Sequence, residues 1–554
     1  KTLIVGDSQG RLSGWFRIRE VNSPNRDGST LVRAHDFPAS GSPVARLAPS
    51  STNQTFAAAF ADGTLSVFHM TTDRLVVGAD LHASDAKPET TSVSALALGA
   101  DGSKPVLLAA TAGELRGWRL TAPHPEVSAK GLLGQVWYES YPRPEFVWQS
   151  SGGEGYEPKY SLIPLIFGTL KATFYSLLFG VPIALMAAIY TSEFLTPRAK
   201  ALVKPSIELM ASLPSVVLGF LGGLVLAPLV DQNLGFTLAM LATVPLTLLT
   251  GAFLWQLLPY KLGLELAPYR FLVILLIAPI GLWLAWLAGP ELESLLFDGN
   301  LKGWLRGPSG ENYHSTIGAW LFLLAPISAA ACATFIALVV NPWQREQVHH
   351  WTRNGCAWFE LFKFIGGAAI TLGLALAVGA TLDALGLDPR GTAEPGSQPY
   401  DQRNALIVGF VMGFAIIPLI YTISEDALAA VPEHLRSASL GAGATPWQTA
   451  VRIIIPTAMS GLFSAVMIGL GRAVGETMIV LMATGNTPIM DFDVFNGFRT
   501  LSASLAEELP ESVPGTTHYR ILFLAGLTLF VTTFIINTIA EYVRMRFRRR
   551  SYGV

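Results

Sequence analysis

The sequence predicts a membrane α-helical bundle preceded by an N-terminal all-β, propeller-like external domain. Two observations carry this. The chain of 554 residues is 51% hydrophobic and only 14% charged, with a mean hydropathy of +0.43, too apolar for an ordinary soluble protein of several domains. The apolar residues are also unevenly laid out, in short runs between turns up to residue 150 and in long runs from residue 160. A net charge of −2 gives no global field that would draw nucleic acid. The two cysteines, Cys332 and Cys356, make neither a disulfide framework nor a metal-binding spacing. The chain opens at Lys1 with neither Met nor a signal peptide, so upstream sequence is expected.

Residues 1–150 carry Gly, Pro, Ser and Asp clusters between short apolar runs, a strand-and-turn pattern. One pattern recurs: "GRLSGW" at 10–15, "GTLSVF" at 63–68 and "GELRGW" at 113–118, with first glycines 53 and 50 residues apart. Blade repeats of propellers have periods of about 40–50 residues. Three copies do not close a propeller of about 4–8 blades. Further blades upstream, an open β-domain and an irregular β-sandwich all fit.

A spanning helix needs about 20 apolar residues. Nine stretches qualify, at about 161–190, 206–227, 235–258, 271–289, 316–340, 358–380, 404–424, 456–485 and 520–543. Prolines inside them, such as Pro182, Pro245 and Pro418, are tolerable where neighbours re-satisfy the freed backbone. With the C-terminal tail "RMRFRRR" placed inside, the inner loops and tail hold fourteen Lys and Arg: Arg198, Lys200, Lys204, Lys261, Arg270, Arg345, Arg353, Arg436, Arg452 and five tail arginines. The outer loops hold six: Lys302, Arg306, Arg390, Arg403, Arg499 and Arg520. That bias supports the orientation. Nine spans then put residues 1–150 outside, which implies a spanning helix upstream of Lys1.

The eighth stretch contains "IGLGRAVGETMIVLM" at 468–482, which sets Arg472 and Glu476 among apolar and small residues. A lone charge at the bilayer centre costs at least about 2.5–3.5 kcal/mol. Four residues apart, the two are expected to share a helix face and pair. A polar clamp between helices would explain them, and Gly469, Gly471 and Gly475 suit close packing. A charged group lining a transport path would also explain them. An arginine suits an oxyanion, because its planar donor fork is always charged and matches phosphate.

The preceding inner segment, "AVPEHLRSASLGAGATPWQTAVRIIIPTAMSGL" at 430–462, is too polar to span. Pro432 can open a short helix at its first position, Gly441 and Gly443 can end it, and Thr445-Pro446 can start a second helix into the membrane. This helix–glycine–helix elbow resembles the cytoplasmic EAA loop of ABC importer permeases. The matching positions are Ala438, Gly443, Ile453 and Pro456, while Ser437 stands where the family usually has Glu and Ser439 where it has the second Ala. "GLGRAVGETM", "SIELMASLPSVVLGFLGGLVLAPL" at 206–228 and "FGTLKATFYSLLFGVPIALMAAIYTSEF" at 167–194 together resemble phosphate ABC permeases of the PstC type.

The resemblance implies an ABC importer permease fold in the bacterial inner membrane, multi-pass, with the β-domain periplasmic and the C-terminus cytoplasmic. It implies a phosphate route that includes Arg472, Glu476 and Thr477. It also implies contact with the ATPase through Ser437, Ala438, Gly441, Gly443, Ile453 and Pro456. The expected partners are a second, PstA-like permease, ATPase subunits, an external phosphate-binding protein and membrane lipid. The expected division is a β-domain at 1–150, core at 160–230, four inserted spans at 235–400, core again at 404–543 with the elbow at 430–456, and a basic tail at 544–554. Relative to the family, the β-domain and the inserted spans are extra. The insertion is expected to lie away from the transport path. Lys171 is expected to snorkel to the outer interface or to draw anions inward.

No G-x-x-x-x-G-K-[ST], HExxH or nucleophile-elbow pattern occurs, so no catalytic residue, metal site or cofactor is expected in this chain. ATP and Mg would act on the partner ATPase. Permeases for another oxyanion, such as sulfate or molybdate, remain alternatives, as does a membrane-anchored sensor. The elbow counts against a sensor, which needs no ATPase contact.

Overall fold

Along Leu12–Arg19, Leu12, Phe16 and Ile18 point inward while Arg17 and Arg19 point out, the two-residue period of a half-buried strand. The computed structural model describes residues 2–19, 28–38, 40–50, 53–80, 93–101, 104–111, 113–121, 124–139, 141–151, 157–259, 262, 265–266, 275–305, 315–347, 352–388 and 400–551. Ten strands form three successive antiparallel meanders. The first joins β1 (Leu3–Gly6), β2 (Leu12–Arg19) and β3 (Ser29–Phe37). The second joins β4 (Val44–Pro49), β5 (Thr55–Phe60), β6 (Thr64–His69) and β7 (Arg74–Asp80). The third joins β8 (Ala95–Asp101), β9 (Lys104–Ala110) and β10 (Leu115–Arg119).

The three sequence repeats enter β2, β6 and β10, each the second strand of a hairpin. Two of the turns use a carboxylate that accepts backbone N–H groups: Asp7 takes those of Gln9 and Arg11 at 2.9 and 2.8 Å, and Asp62 takes that of Thr64 at 2.9 Å. Phe37, Phe56 and Phe68 pack the first meander on the second, with ring centroids 4.9 to 5.6 Å apart. Leu65, Val67, Leu98 and Leu107 do the same between the second and the third.

A short helix α1 (Ala129–Leu133) and the two-stranded pair β11 (Trp148–Gln149) and β12 (Lys159–Tyr160) lead into the bundle. There α2 (Ile163–Glu193) packs along α9 (Ala405–Ala429), the most deeply buried of the long apolar helices. Between them in sequence come α3 (Pro197–Ala211), α4 (Ser215–Gln232), α5 (Leu234–Gln256), α6 (Ala278–Leu296), α7 (Ile317–Gln347) and α8 (Arg353–Ala384). After α9 follow α10 (Glu433–Gly441), α11 (Pro446–Val474), α12 (Met478–Ala483), α13 (Leu501–Glu508) and α14 (Thr517–Ser551). Trp148 and Tyr160 share one apolar cluster with Leu165 of α2, Leu501 of α13 and Ile521 of α14, so the β-rich part is seated on one end of the bundle.

Among the described residues, eight helices are long and apolar enough to cross a membrane. The stretch expected at 271–289 begins outside the described residues, as do Lys261, Arg270, Arg306 and Arg390, and its described part is α6. The stretch expected at 206–227 is divided. Pro214 interrupts it, α3 ends at Ala211, and the apolar helix starts only at Ser215. Pro432 sits one place before its helix, at the N-cap position, rather than at the first helical position. The stretch expected at 456–485 breaks after Val474. Helices α5 to α8 pack on one another, with the rings of Phe253 and Phe364 stacked 4.8 Å apart. Beside α4, Lys302 lies 2.7 Å from Asp231, whose carboxylate also accepts the Tyr400 hydroxyl at 2.8 Å.

Candidate functional site

The elbow is built from local signals that agree with one another. Helix α10 closes with a pair of backbone bonds, Gly443 N to Leu440 O at 3.0 Å and Ala444 N to Ser439 O at 3.2 Å. This pairing needs a left-handed residue, and Gly443 has φ +88°. Two residues later Thr445 caps α11. Its hydroxyl accepts Gln448 N at 3.2 Å, while Gln448 Oε1 accepts Thr445 N at 2.9 Å. The hydroxyls of Ser439 and Thr449 meet at 2.9 Å and tie the two limbs together. Ser437, Ala438, Gly441 and Gly443 are exposed, and Leu440 and Trp447 add two large apolar side chains to that surface. Ile453 is half-buried and Pro456 exposed. Pro456 offers no N–H to the turn before it, which widens over residues 450–454.

The elbow is gripped from within the chain. Arg436 Nη1 donates to both carboxylate oxygens of Glu193 at 2.8 and 2.9 Å, and Nη2 donates to the Leu428 carbonyl at 2.7 Å. Beside this clamp, Glu425 of α9 is 1% exposed and is paired with Lys200 and Lys204 of α3. Lys204 also donates to Asp426 at 3.0 Å. Its hydrogen bonds to Glu425 and Asp426 push its ammonium above the usual lysine range.

Arg472 lies in the last turn of α11 and is exposed. Glu476 falls in the break beyond Gly475 and is half-buried, with Thr477 beside it. The expected Arg472–Glu476 pair on one helix face is therefore corrected: the helix stops between them, and no hydrogen bond or ion pair joins them among the described residues. The break lets α12 turn its backbone onto α4. A Cβ at Gly219 would come within 2.8 Å of the Met478 carbonyl, and one at Gly223 would collide with that of Met482. The Glu476 carbonyl accepts the Ser502 hydroxyl at 3.0 Å, and Leu501 N donates to Thr169 Oγ1 at 3.1 Å. Helices α13 and α2 thus hold the break in place.

Lys171 does not snorkel. Its side chain is fully buried, 2.8 Å from Asp491 Oδ1 and 5.7 Å from the centre of the Phe498 ring. The other oxygen of Asp491 accepts Asn496 Nδ2 at 2.6 Å. An acidic partner from the loop at 484–500 makes burial cheaper than reaching for water. Nearby, burial pushes the Asp493 carboxyl above the usual carboxylate range. On the same side Glu508, at the end of α13, accepts Trp148 Nε1 at 3.0 Å and lies 2.6 Å from both Arg499 Nη2 and His518 Nε2.

These geometries fall largely within a recognisable segment. Residues 395–549 match the family described as binding-protein-dependent transport system inner membrane component. This part of the chain is similar to that family of permease components. It contains the elbow, Arg472, Glu476 and Thr477. The chain is similar to the phosphate transport system permease protein PstC of Mesorhizobium japonicum, with 37% identity over 146 residues, 26% of this chain and 44% of that protein. It is 33% identical over 144 residues to the probable ABC transporter permease protein YqgH of Bacillus subtilis, covering 26% and 47% of the two chains. It is 33% identical over 150 residues to the phosphate transport system permease protein PstA 1 of Mycobacterium tuberculosis, covering 27% and 48%. These matches support the PstC-type resemblance over about a quarter of the chain, a stretch that spans about half the length of the curated relatives it matches. No solved structure matches the chain.

Proposed function

We propose that the chain is the inner-membrane permease subunit of an ATP-driven phosphate importer, forms half of the translocation path and couples to a separate ATPase. The elbow carries this reading. A capped helix, a left-handed glycine and a second capped helix present an exposed surface with Leu440 and Trp447 inside the permease-matching residues. Relatives named PstC and PstA both align at similar identity, which supports pairing with a second, PstA-like permease and working with a phosphate-binding protein outside. Phosphate would pass Arg472, whose guanidinium is exposed on this chain, with Glu476 and Thr477 at the adjoining break.

The ends of α2 support the orientation in this reading. Leu165, near its first turn, packs with Trp148 and Tyr160 of the β-rich part, while Glu193 at its other end holds the elbow. A helix of 31 residues spans roughly 45 Å, enough to separate the two faces of a bilayer. In this reading the β-rich part is periplasmic, its three meanders are propeller-like blades, and the elbow is cytoplasmic. Residues 160–230 and 404–543 form the permease core, and α5 to α8 belong to the peripheral insertion.

The test is Gly443→Asp. A Cβ at Gly443 meets nothing within 4 Å, so the chain itself has room for the side chain. Aspartate enters the left-handed region at about 1–2 kcal/mol. The new carboxylate lands on the face that would dock the ATPase. Membrane insertion should be normal and ATP-driven phosphate uptake lost. Normal uptake by this variant would remove the coupling role.

A further inference from the structure

We propose that the Arg436–Glu193 clamp transmits elbow motion to the bundle, so that these two side chains set how much transport each ATP hydrolysis yields. This rests on the elbow docking an ATPase. Glu193 is the last residue of α2 and its side chain is only 8% exposed, a poor place for a carboxylate because a helix C-terminus is itself negative. Arg436, 16% exposed on the side chain, neutralises it through a two-pronged contact. The same guanidinium also takes the Leu428 carbonyl in the last turn of α9, which accepts Val431 N at 3.3 Å as well. One side chain of the elbow thus holds the cytoplasmic ends of the two helices at the centre of the bundle.

The geometry gives the clamp something to move. Lys200 and Lys204 bind Glu425, which ties α3 to α9 just beyond the Glu193 end of α2, so the three helix ends behave as one body. At the far end of α2, Thr169 receives Leu501 N, and the neighbouring Ser502 holds the Glu476 carbonyl. A displacement of α10 therefore reaches the break beside Arg472 along α2, one continuous helix of 31 residues.

The experiment uses the assembled transporter, with second permease and ATPase, in proteoliposomes supplied with binding protein and inorganic phosphate. ATP hydrolysed and phosphate imported are measured together, with ATPase retention scored on the purified complex. Glu193→Gln should keep the ATPase bound and hydrolysing while phosphate imported per ATP falls by about tenfold, within the span of measured couplings between contacting residues. Arg436→Lys, which keeps charge but loses the fork, should fall between it and wild type. The exchange Glu193→Arg with Arg436→Glu should recover part of the ratio. An unchanged ratio in Glu193→Gln overturns the proposal and leaves elbow docking intact. Loss of the ATPase from the Glu193→Gln complex also overturns it, because the clamp would then serve docking itself. A wild-type complex that retains no ATPase refutes the docking reading, and the proposal with it.

Discussion

Replacing Lys171 with Met tests the buried charge of the bundle most directly. The two side chains have similar reach, so packing against Phe498 is kept while the ammonium is removed. Asp491 is then left without its cation. Removing one partner of a buried ion pair costs about 3–5 kcal/mol. The low end applies here, because the Asp491 side chain is 31% exposed and keeps its bond from Asn496. A loss of about 3 kcal/mol corresponds to a melting temperature lowered by roughly 6–12 °C on the scale of large domains. Scanning fluorimetry of the purified protein in detergent reads this directly. Adding Asp491→Asn should restore most of the loss, since the pair is then replaced by neutral groups. If Lys171→Met melts like wild type, the pair is not what holds the loop at 484–500 against α2. Phosphate uptake by the double variant separates the anion-drawing alternative: uptake should survive if the lysine is structural.

Two other perturbations follow from the geometry. Arg472→Leu should abolish phosphate uptake while complex yield stays normal, and Arg472→Lys should retain part of it, because charge persists without the planar fork; normal import by the leucine variant would end the role assigned to this residue. In the β-rich part, burial lowers His69 from 6.5 to about 4, so the folded state takes up its proton later than the unfolded chain as pH falls. Its contribution is full above pH 6.5 and is lost between 6.5 and about 4, up to about 3 kcal/mol. Burial raises Glu157, which acts in the opposite sense, so the measurement is the difference between wild type and His69→Gln. Hydrogen exchange in β6 and β7 at pH 7 and 5 should show a steeper loss of protection in wild type, and equal slopes would refute the assignment.

What was legible in the sequence was local. The repeat glycines marked hairpins because each needs a turn before its second strand, and the elbow was legible down to Thr445 because caps, a left-handed glycine and Pro at the first helical position are short-range signals. The Arg472–Glu476 pair failed because spacing alone assumes a continuous helix. The break depends on α12 resting on Gly219 and Gly223, some 260 residues earlier in the chain. Lys171 was misplaced for the same reason, since its partner Asp491 lies 320 residues away. Glu193 and Glu425 were overlooked although each is an acid at the edge of an apolar run. Each carries the cost of burial that the sequence suggests for Arg472, but their cations come from other elements, Arg436 and Lys200 with Lys204.

The seat of the β-rich part has a practical bearing on any minimal version of this bundle. Trp148 covers Glu508 and shares its cluster with Leu501, Ile521 and Leu522, all of which are nearly inaccessible to solvent. Cutting the chain before α2 would uncover a greasy ledge with a half-neutralised acid at its rim. A trimmed version would aggregate through that ledge unless its leucines were made polar. The excised strands would carry the mirror-image problem at Trp148 and Tyr160, so the two halves are better separated by redesigning both faces than by choosing a cleavage point.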